Sequence, residues 1–214
     1  VVADAPLPMV VKADGLAAGK GVIICHTRSE AEAAVRELLE QHSMGTAGAT
    51  VLIEEFLDGM EVSFLALTDG VTSIPLVPAC DYKRVGDADV GPNTGGMGAY
   101  TPPAVFTAEL QEWTMRAVIE PVVAELARRG ITYRGGLYAG LILTADGPKV
   151  LEFNCRFGDP ETQVILPMLS SDLVAVCDAV ARGQLAELPP LTWHDGACVG
   201  VVLASGGYPG AYTS

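Results

Sequence analysis

Three polar side chains alternate with apolar ones at residues 151–161, and together they could hold a metal ion and a phosphate group. An Asp-Gly pair at 146–147 is typical of a hairpin turn and predicts that this stretch begins as a β-strand. Because side chains alternate faces along a strand, Glu152, Asn154 and Arg156 are expected on one face, above an apolar floor. Carboxylate and amide oxygens suit Mg²⁺, and an arginine beside them can clamp a phosphate oxygen. We predict a metal–phosphate site; a solvated surface strand is the alternative.

The turn after this strand favours the metal–phosphate interpretation. Asp159 is a plausible helix N-cap, and Pro160 suits the first helical position. A charged row that runs into a helix N-terminus would form an anion-binding site, because the first N–H groups of a helix point outward.

A second candidate site is the glycine-rich loop that contains Gly15, Gly19, Lys20 and Gly21. Glycines let backbone N–H groups approach phosphate oxygens, so this loop could cradle phosphates. It is neither a Walker A loop nor a dinucleotide-binding fingerprint, and the β-branched residues on both sides predict strand–loop–strand. Taken without any other motif, it is better explained as an ordinary hairpin loop.

A third candidate is the long polar stretch at residues 81–100, which is rich in glycine and has no periodicity. It carries Lys83 and Arg84, a pair of basic residues in an otherwise acidic chain. Loops of this length in compact domains are usually functional or disordered. We predict a ligand-binding loop, with a solvated linker as the alternative.

The remaining elements predict an α+β fold. A capping box of Ser29 and Glu32 predicts a helix at 29–42, and a second long helix at 107–129 should kink or restart at Pro121. Three consecutive antiparallel strands are expected between them, and further strands and two helices follow. Besides the strand that begins the 151–161 stretch, the predicted strands are 9–12, 22–25, 50–57, 60–67, 71–79, 137–144 and 197–205, and the last two helices are 161–166 and 171–182.

Composition narrows the class of protein. The chain has 214 residues, half of them apolar, which is enough for one large domain or two small ones. Its 26 acidic and 13 basic residues give a net charge of −13, which argues against nucleic-acid binding. Five scattered cysteines without a C-x-x-C motif predict reduced thiols in the cytoplasm. No run of membrane-spanning length and no signal peptide are seen, and both ends suggest a fragment of a longer chain.

Four longer motifs occur along the chain, at residues 11–21, 53–59, 91–100 and 152–163. In type and order they resemble the phosphoribosylamine–glycine ligase (glycinamide ribonucleotide synthetase) family of the ATP-grasp superfamily. The resemblance covers nearly the whole chain, and the last two motifs are long and specific.

The resemblance implies an ATP-grasp fold, in which a nucleotide lies between two α+β subdomains. The expected division is a small lid subdomain at 1–68, a large subdomain with the metal–phosphate site at 69–190, and the start of a C-terminal domain at 191–214.

The resemblance also implies a reaction. The family joins glycine to 5-phosphoribosylamine through a glycyl phosphate in purine biosynthesis, with ATP becoming ADP and phosphate. The implied cofactors are ATP and Mg²⁺ or Mn²⁺, and the implied partners are these small molecules, in a cytoplasmic monomer or homodimer. Two alternatives stay open, which are a ligase or carboxylase for another purine intermediate and a truncated, non-catalytic ATP-binding module.

Finally, the resemblance implies roles for individual residues. Mg²⁺ would be bound by Glu152 and Asn154, and the transferred phosphoryl group would be faced by Arg156 with Lys83 and Arg84. The other implied positions bind the nucleotide. Its phosphates would contact Lys12 and the loop residues Gly15, Gly19, Lys20 and Gly21. Its adenine would lie at Glu54, Glu55, Phe56 and Leu57 and its ribose at Glu61, with Arg84 and Asn93 as further nucleotide-site residues.

Overall fold

The computed structural model describes residues 1–17, 21–88 and 90–212, and the chain divides into two compact units, Val1–Asp58 and Gly59–Ser214. Sheets and helices are mixed within it, which confirms the predicted α+β class. The strand at residues 60–68, which the sequence analysis assigned to the first subdomain, falls in the second compact unit. The functional subdomain division itself stays a prediction.

The described residues form ten strands and five α-helices. The strands are β1 Met9–Ala13, β2 Val22–Cys25, β3 Val51–Glu55, β4 Met60–Thr68, β5 Ser73–Pro75, β6 Cys80–Gly86, β7 Val90–Thr101, β8 Gly135–Thr144, β9 Gly147–Asn154 and β10 Cys198–Val201. The helices are α1 Arg28–Leu39, α2 Ala108–Thr114, α3 Glu120–Arg128, α4 Thr162–Ile165 and α5 Leu173–Arg182.

The first unit is a three-stranded antiparallel sheet in the order β2-β1-β3, with α1 packed against it. The pairing of β1 with β2 confirms the predicted strand–loop–strand around the glycine-rich loop. The helix cap, however, is Thr27 and not Ser29. Thr27 Oγ1 accepts from Glu30 N, and the Glu30 carboxylate accepts from Thr27 N, so the predicted box of Ser29 and Glu32 is wrong and the helix is capped by Thr27 and Glu30, two residues earlier.

The second unit is built around a four-stranded antiparallel sheet in the order β5-β4-β8-β9. The three consecutive strands predicted between the helices do not form one sheet, because β3 pairs with β1 whereas β4 pairs with β5 and β8. Sequence neighbours were a poor guide here, since the partner of β4 lies more than sixty residues further along the chain.

Both faces of β4 are buried, which explains its nearly continuous apolar sequence. Phe64 faces one core cluster, which α3 and the residues around it cover, and it stacks on Phe106 at 5.5 Å between ring centroids. Leu65 faces the other cluster, which α5 covers through Val176 and Val180. The central sheet is therefore a layer between helices.

A third sheet, in the order β10-β7-β6, contains most of the stretch predicted to be a ligand-binding loop. The prediction of irregular structure at residues 81–100 is wrong, because β6 and β7 pair as antiparallel strands. Glycines hide the alternation of β7, and register shifts between Tyr82 and Gly86 break the period of β6. The backbone N–H and C=O groups of this stretch are satisfied by strand pairing, which the sequence did not show as a periodic pattern.

The long helix is interrupted, as its proline predicts. A π-helical turn at Met115–Ile119 separates α2 from α3, and Pro121 lies in the first turn of α3, where its missing N–H costs no intrahelical bond. At the last helix, Asp172 caps α5, and Gly183 ends it in the left-handed conformation at φ 76°.

One buried carboxylate ties the β4–β5 turn to the end of α5. Asp69 accepts hydrogen bonds from the backbone N–H groups of Val71, Thr72 and Leu185 at 3.0, 2.7 and 3.0 Å. Burial by itself raises the pKa of Asp69, but these donors outweigh it and hold the pKa below its ordinary value. Asp69 is thus an ionised structural anchor.

Candidate functional site

The two predicted metal ligands lie on the same face of β9. Asn154 Nδ2 donates to Glu152 Oε1 at 3.0 Å, which is the contact that alternation along a strand predicts. The opposite face is not the buried apolar floor that was expected. Strand β9 is at the edge of its sheet, and Phe153 keeps 41% of its surface exposed.

The neighbouring strands leave room for these side chains. Gly140 of β8 pairs with both Glu152 and Ser63, so the three residues form one row across the sheet. A Cβ at Gly140 would lie 3.3 Å from Glu152 Cγ and 3.5 Å from the Tyr138 ring. Glycine at this position therefore lets the side chains of Glu152 and Tyr138 pack side by side.

Lys83 brings positive charge to this face. Its Nζ lies 2.7 Å from Glu61 Oε2 and 3.8 Å from Asp81 Oδ1. Burial lowers the pKa of Lys83, but Asp81, Glu61 and also Glu152 outweigh that effect and raise it, so Lys83 stays cationic. Burial raises the pKa of Asp81 to about 6, although Lys83 opposes the shift. Lys83 and Glu152, two residues selected from the sequence, thus lie close enough to interact.

Arg84 does not join them. It follows Lys83 on β6, and its guanidinium donates to Gly91 O at 3.1 Å and lines a cavity of about 780 Å³ with Tyr82 and Tyr100. The register of β6 shifts between Tyr82 and Gly86, and the two basic residues have different partners there, since Lys83 contacts Glu61 and Asp81 whereas Arg84 contacts Gly91. Arg84 pairs with Asn93 across β6 and β7. The roles of Arg84 and Asn93 stay predictions.

Arg156 lies in the turn after β9, where it is exposed and donates to Phe157 O at 2.8 Å. The predicted helix N-terminal anion site is wrong. Asp159 is not an N-cap, because it accepts from the Gln163 side chain at 2.6 Å. The helix that follows, α4, has only four residues and takes Glu161 as its N-cap, so it offers no anion-binding N-terminus.

Two of the sequence motifs meet at a single glycine. Gly96 of β7 has φ +126° and packs directly on Pro160, whose Cγ would lie 3.1 Å from a Cβ at this position. Any other residue would be strained by the backbone angle and would also strike the proline ring. The glycine-rich strand β7 and the turn at residues 155–161 are therefore fitted to each other.

Sequence reasoning missed three buried polar residues beneath this site, Ser63, Tyr138 and Glu161. Ser63 Oγ contacts both the Tyr138 hydroxyl and Glu161 Oε1 at 2.8 Å. One signal could have revealed the first of them, since Ser63 is a polar residue within the otherwise apolar run at 62–67 of β4. Glu161 gave no such signal, because its burial depends on a partner 98 residues away.

In the first unit, Lys12 of β1 forms a 2.6 Å ion pair with Glu54 of β3. Both are among the predicted nucleotide-binding residues. Glu55 ends β3 and is exposed, and Phe56 and Leu57 follow it, both half-buried.

The described part of the glycine-rich loop is tightly packed. Gly15 N donates to Ala47 O at 2.9 Å, and a Cβ at Gly15 would lie only 2.5 Å from Ala47 Cα. Gly21 has Ala13 and Ala17 at similarly close range. Gly19 and Lys20, which the resemblance also selected, lie outside the described residues.

The donor set fits a magnesium ion. Glu152 and Asn154 supply two oxygen-bearing side chains, and Mg²⁺ usually takes one or two protein ligands and completes its shell with water and phosphate. Within residues 1–17, 21–88 and 90–212, no three His, Cys, Asp or Glu side chains are grouped in a way that would hold a metal. In the same part of the chain, no helix is long and apolar enough to span a membrane.

Comparison with known proteins identifies the class of fold. A structure of the biotin carboxylase domain of Hydrogenobacter thermophilus 2-oxoglutarate carboxylase superposes with a TM-score of 0.67 at 17% identity, over 92% of this chain and 42% of the other, which shows the fold alone. The family model "Phosphoribosylglycinamide synthetase, ATP-grasp (A) domain" matches residues 1–162. The predicted ATP-grasp fold is thereby confirmed.

The particular family follows from closer relatives. The phosphoribosylamine–glycine ligase of Vibrio cholerae is 54% identical over 206 residues, which are 96% of this chain and 48% of that protein. The trifunctional purine biosynthetic protein adenosine-3 of Gallus gallus is 54% identical over 95% of this chain and 20% of its own length. The crystal structure of the Thermotoga maritima phosphoribosylamine–glycine ligase superposes with a TM-score of 0.90 at 36% identity, over 99% of this chain and 53% of that one.

The chain belongs to the phosphoribosylglycinamide synthetase family, as the resemblance predicted. It spans about half the length of the curated ligases it matches.

Proposed function

We propose that this chain is the ATP-grasp region of a phosphoribosylamine–glycine ligase, which joins glycine to 5-phosphoribosylamine at the expense of ATP. The observation that carries the proposal is the pair of oxygen ligands, Glu152 and Asn154, on one strand face beside the cationic Lys83. The relatives from Nostoc and Salmonella typhimurium, at 56 and 53% identity, carry the name phosphoribosylamine–glycine ligase, and that name supplies the two substrates of the proposal. The proposal includes a cytoplasmic location and a monomeric or homodimeric state.

The chemistry needs activation of a carboxylate, because a carboxylate is a poor electrophile. A glycine carboxylate oxygen attacks the γ-phosphorus of ATP, the bond to the β-phosphate oxygen breaks, and ADP leaves. The amine of 5-phosphoribosylamine then attacks the carbonyl carbon of glycyl phosphate, loses a proton, and phosphate departs. Such phosphoryl transfer depends on positioning and charge neutralisation more than on covalent help from the protein.

The residues of this face are suited to that task. Mg²⁺ or Mn²⁺ held by Glu152 and Asn154 would neutralise phosphate oxygens. Lys83 holds a positive charge next to Glu152, and the exposed Arg156 guanidinium is available to grip an oxygen of the transferred group in fork geometry. Arg84 is proposed as a further nucleotide contact, although its guanidinium donates to Gly91 O and does not join the carboxylates that Lys83 contacts.

The remaining proposed contacts are with the nucleotide. We assign the phosphates to Lys12 and to the loop that contains Gly15, Gly19, Lys20 and Gly21. The other positions are Glu54, Glu55, Phe56 and Leu57 at the adenine, Glu61 at the ribose, and Asn93. The close packing of Gly15 on Ala47 supports a loop whose backbone shape matters.

Calorimetric titration with a non-hydrolysable ATP analogue tests the metal assignment. Wild-type protein should bind more tightly with Mg²⁺ than without it, and Glu152→Ala should abolish that difference while leaving the Mg²⁺-free affinity unchanged. Asp146→Asn is the matched control, because Asp146 is an exposed carboxylate in the turn of the same hairpin. An unchanged Mg²⁺ dependence in Glu152→Ala would show that the metal is held elsewhere.

Turnover by the whole protein tests the reaction. Sustained ADP formation over many turnovers should require both glycine and 5-phosphoribosylamine, because the amine consumes the glycyl phosphate that the first step forms. ADP formation with another carboxylate substrate would favour a different ATP-grasp ligase or carboxylase. Mg²⁺-dependent nucleotide binding with no turnover on any of them would favour a non-catalytic module.

A further inference from the structure

A buried chain of hydrogen bonds runs beneath the proposed metal ligands. The Tyr138 hydroxyl, Ser63 Oγ and Glu161 Oε1 are joined by two contacts of 2.8 Å, and the three residues keep only 6, 1 and 3% of their surface exposed. They come from β8, β4 and the turn before α4, so the chain joins three separate segments of the second unit.

The direction of the hydrogen bonds follows from the chemistry of the groups. Ser63 Oγ donates its one hydrogen to Glu161 Oε1, so it accepts at its other contact, and the Tyr138 hydroxyl donates to it. Burial, followed by the nearby Glu161 charge, raises the pKa of Tyr138 well above its ordinary value. Tyr138 therefore stays protonated and remains a donor.

The turn that leads to Glu161 is shaped around its carboxylate. Gly158 is buried, and a Cβ there would lie 2.6 Å from Glu161 Oε2. The same turn packs Pro160 against Gly96. Glycine at 158 is thus required by the position of the acid, which indicates that the acid and the turn form one fitted unit.

The two ends of this turn connect the hydrogen-bonded chain to the proposed site. Asn154 ends β9 just before the turn, and it pairs in register with Tyr138 of β8. Arg156 lies within the turn, and Glu161 closes it. Anchoring Glu161 to Ser63 therefore fixes both ends of the segment that carries Arg156.

Stability alone does not explain an acid at this position. Burying a carboxylate is costly even when it is hydrogen-bonded, and well-packed apolar residues can often replace a buried polar group at no loss. A group that is costly to bury and that sets the geometry of its neighbours is better suited to positioning.

We infer that Glu161, held by Ser63 and Tyr138, is a positioning residue for the metal–phosphate site, because it fixes the turn that carries Arg156 and the end of the strand that carries Asn154. This inference rests on the proposed function. Glu161 does not touch the reacting groups in this role, and acts through Arg156 and Asn154.

The test compares variants of the whole protein by two measurements, the Mg²⁺-dependent gain in affinity for a non-hydrolysable ATP analogue and the kcat and KM of ADP formation. Ser63→Ala and Glu161→Ala should each lower the Mg²⁺-dependent gain and kcat by about 10- to 100-fold. The Mg²⁺-free affinity should stay unchanged, whereas the KM for ATP, which is measured with Mg²⁺, should rise along with the loss of the Mg²⁺-dependent gain. Tyr138→Phe should show a smaller loss of the same kind, since its ring still packs beside Glu152.

Two variants serve as controls. Glu161→Gln keeps an oxygen that can accept from Ser63, so it should lose less than about tenfold. Thr114→Val removes another fully buried hydroxyl of the same unit, one that bonds only to Leu110 O at 2.8 Å within its own helix, and it should behave as wild type.

The inference is overturned if Ser63→Ala and Tyr138→Phe keep the wild-type Mg²⁺-dependent gain and kcat. It is also overturned if affinity with and without Mg²⁺ falls in parallel with the thermal unfolding midpoint, because that pattern marks a purely structural role. If Glu161→Ala does not fold, the other two variants decide. A wild-type protein that shows the Mg²⁺-dependent gain without glycine-dependent turnover contradicts the proposed reaction only, and the binding measurement still tests the positioning role.

Discussion

Replacing Gly96 by alanine should strongly destabilise the second unit, and the adjacent Gly95 provides the matched control. At Gly96 the backbone has φ +126°, a conformation that costs a residue with a Cβ about 1–3 kcal/mol. The new Cβ would also overlap the Pro160 ring, which is rigid and cannot swing aside as a long side chain could. Overpacking of this kind typically costs a further 1–3 kcal/mol or so.

We therefore expect Gly96→Ala to lower the free energy of unfolding by about 2–6 kcal/mol. That is a large part of the roughly 5–15 kcal/mol that stabilises a typical domain. At Gly95 the nearest atom to a new Cβ is the Tyr208 hydroxyl oxygen at 3.8 Å, which is an ordinary van der Waals contact. The φ angle of Gly95 lies outside the left-handed region, so alanine can adopt it. Gly95→Ala should change the free energy of unfolding by no more than about 0.5 kcal/mol.

Urea unfolding followed by circular dichroism measures both variants in the same protein. A Gly96→Ala midpoint equal to that of Gly95→Ala would refute the close approach of β7 to the turn at residues 155–161. A second measurement connects this contact to function. If the turn is displaced, the Mg²⁺-dependent gain in nucleotide affinity should fall in Gly96→Ala and stay at the wild-type level in Gly95→Ala.

Three further predictions concern the same unit. Burial alone would raise the pKa of Asp69, but three backbone donors hold that pKa below its ordinary value. The stability that Asp69 contributes is therefore present above its unfolded pKa of about 3.9 and is lost as the pH falls through the folded pKa. Asp69→Ala should remove this part of the acid dependence, measured by urea unfolding at several pH values. Phe64→Ala should lower the free energy of unfolding by about 3–5 kcal/mol because Phe64 is fully buried. Val174→Ala, at an exposed helix position, is the control and should be near neutral in urea unfolding. Equal losses of stability in the two variants would contradict the assignment of Phe64 to the core. The carboxyl carbon of Asp81 should titrate by NMR near pH 6, and Lys83→Met should move the midpoint higher because a neighbouring positive charge is lost; a lower midpoint would contradict the ion pair.

Local patterns in the sequence determined the parts of this protein that depend on near neighbours. Alternation along a strand placed Glu152 and Asn154 on one face, and the structure confirms it. The strand–loop–strand around the glycine-rich loop and the restart of the long helix at Pro121 were predicted for the same reason. The motifs and their order were enough to identify the family.

Tertiary structure decided what joins distant segments. Lys83 and Arg84 looked like one basic pair in the sequence, but in the structure they have separate partners, since Lys83 contacts Glu61 and Asp81 whereas Arg84 contacts Gly91. Glu161 looked like part of a helix start, and only the contact with Ser63, 98 residues away, revealed a buried acid. Sequence periodicity reports on a few neighbouring residues, whereas strand pairing and burial depend on which distant segments meet. The shared strand face of Glu152 and Asn154 was therefore predictable from the sequence, and the buried network of Ser63, Tyr138 and Glu161 was not.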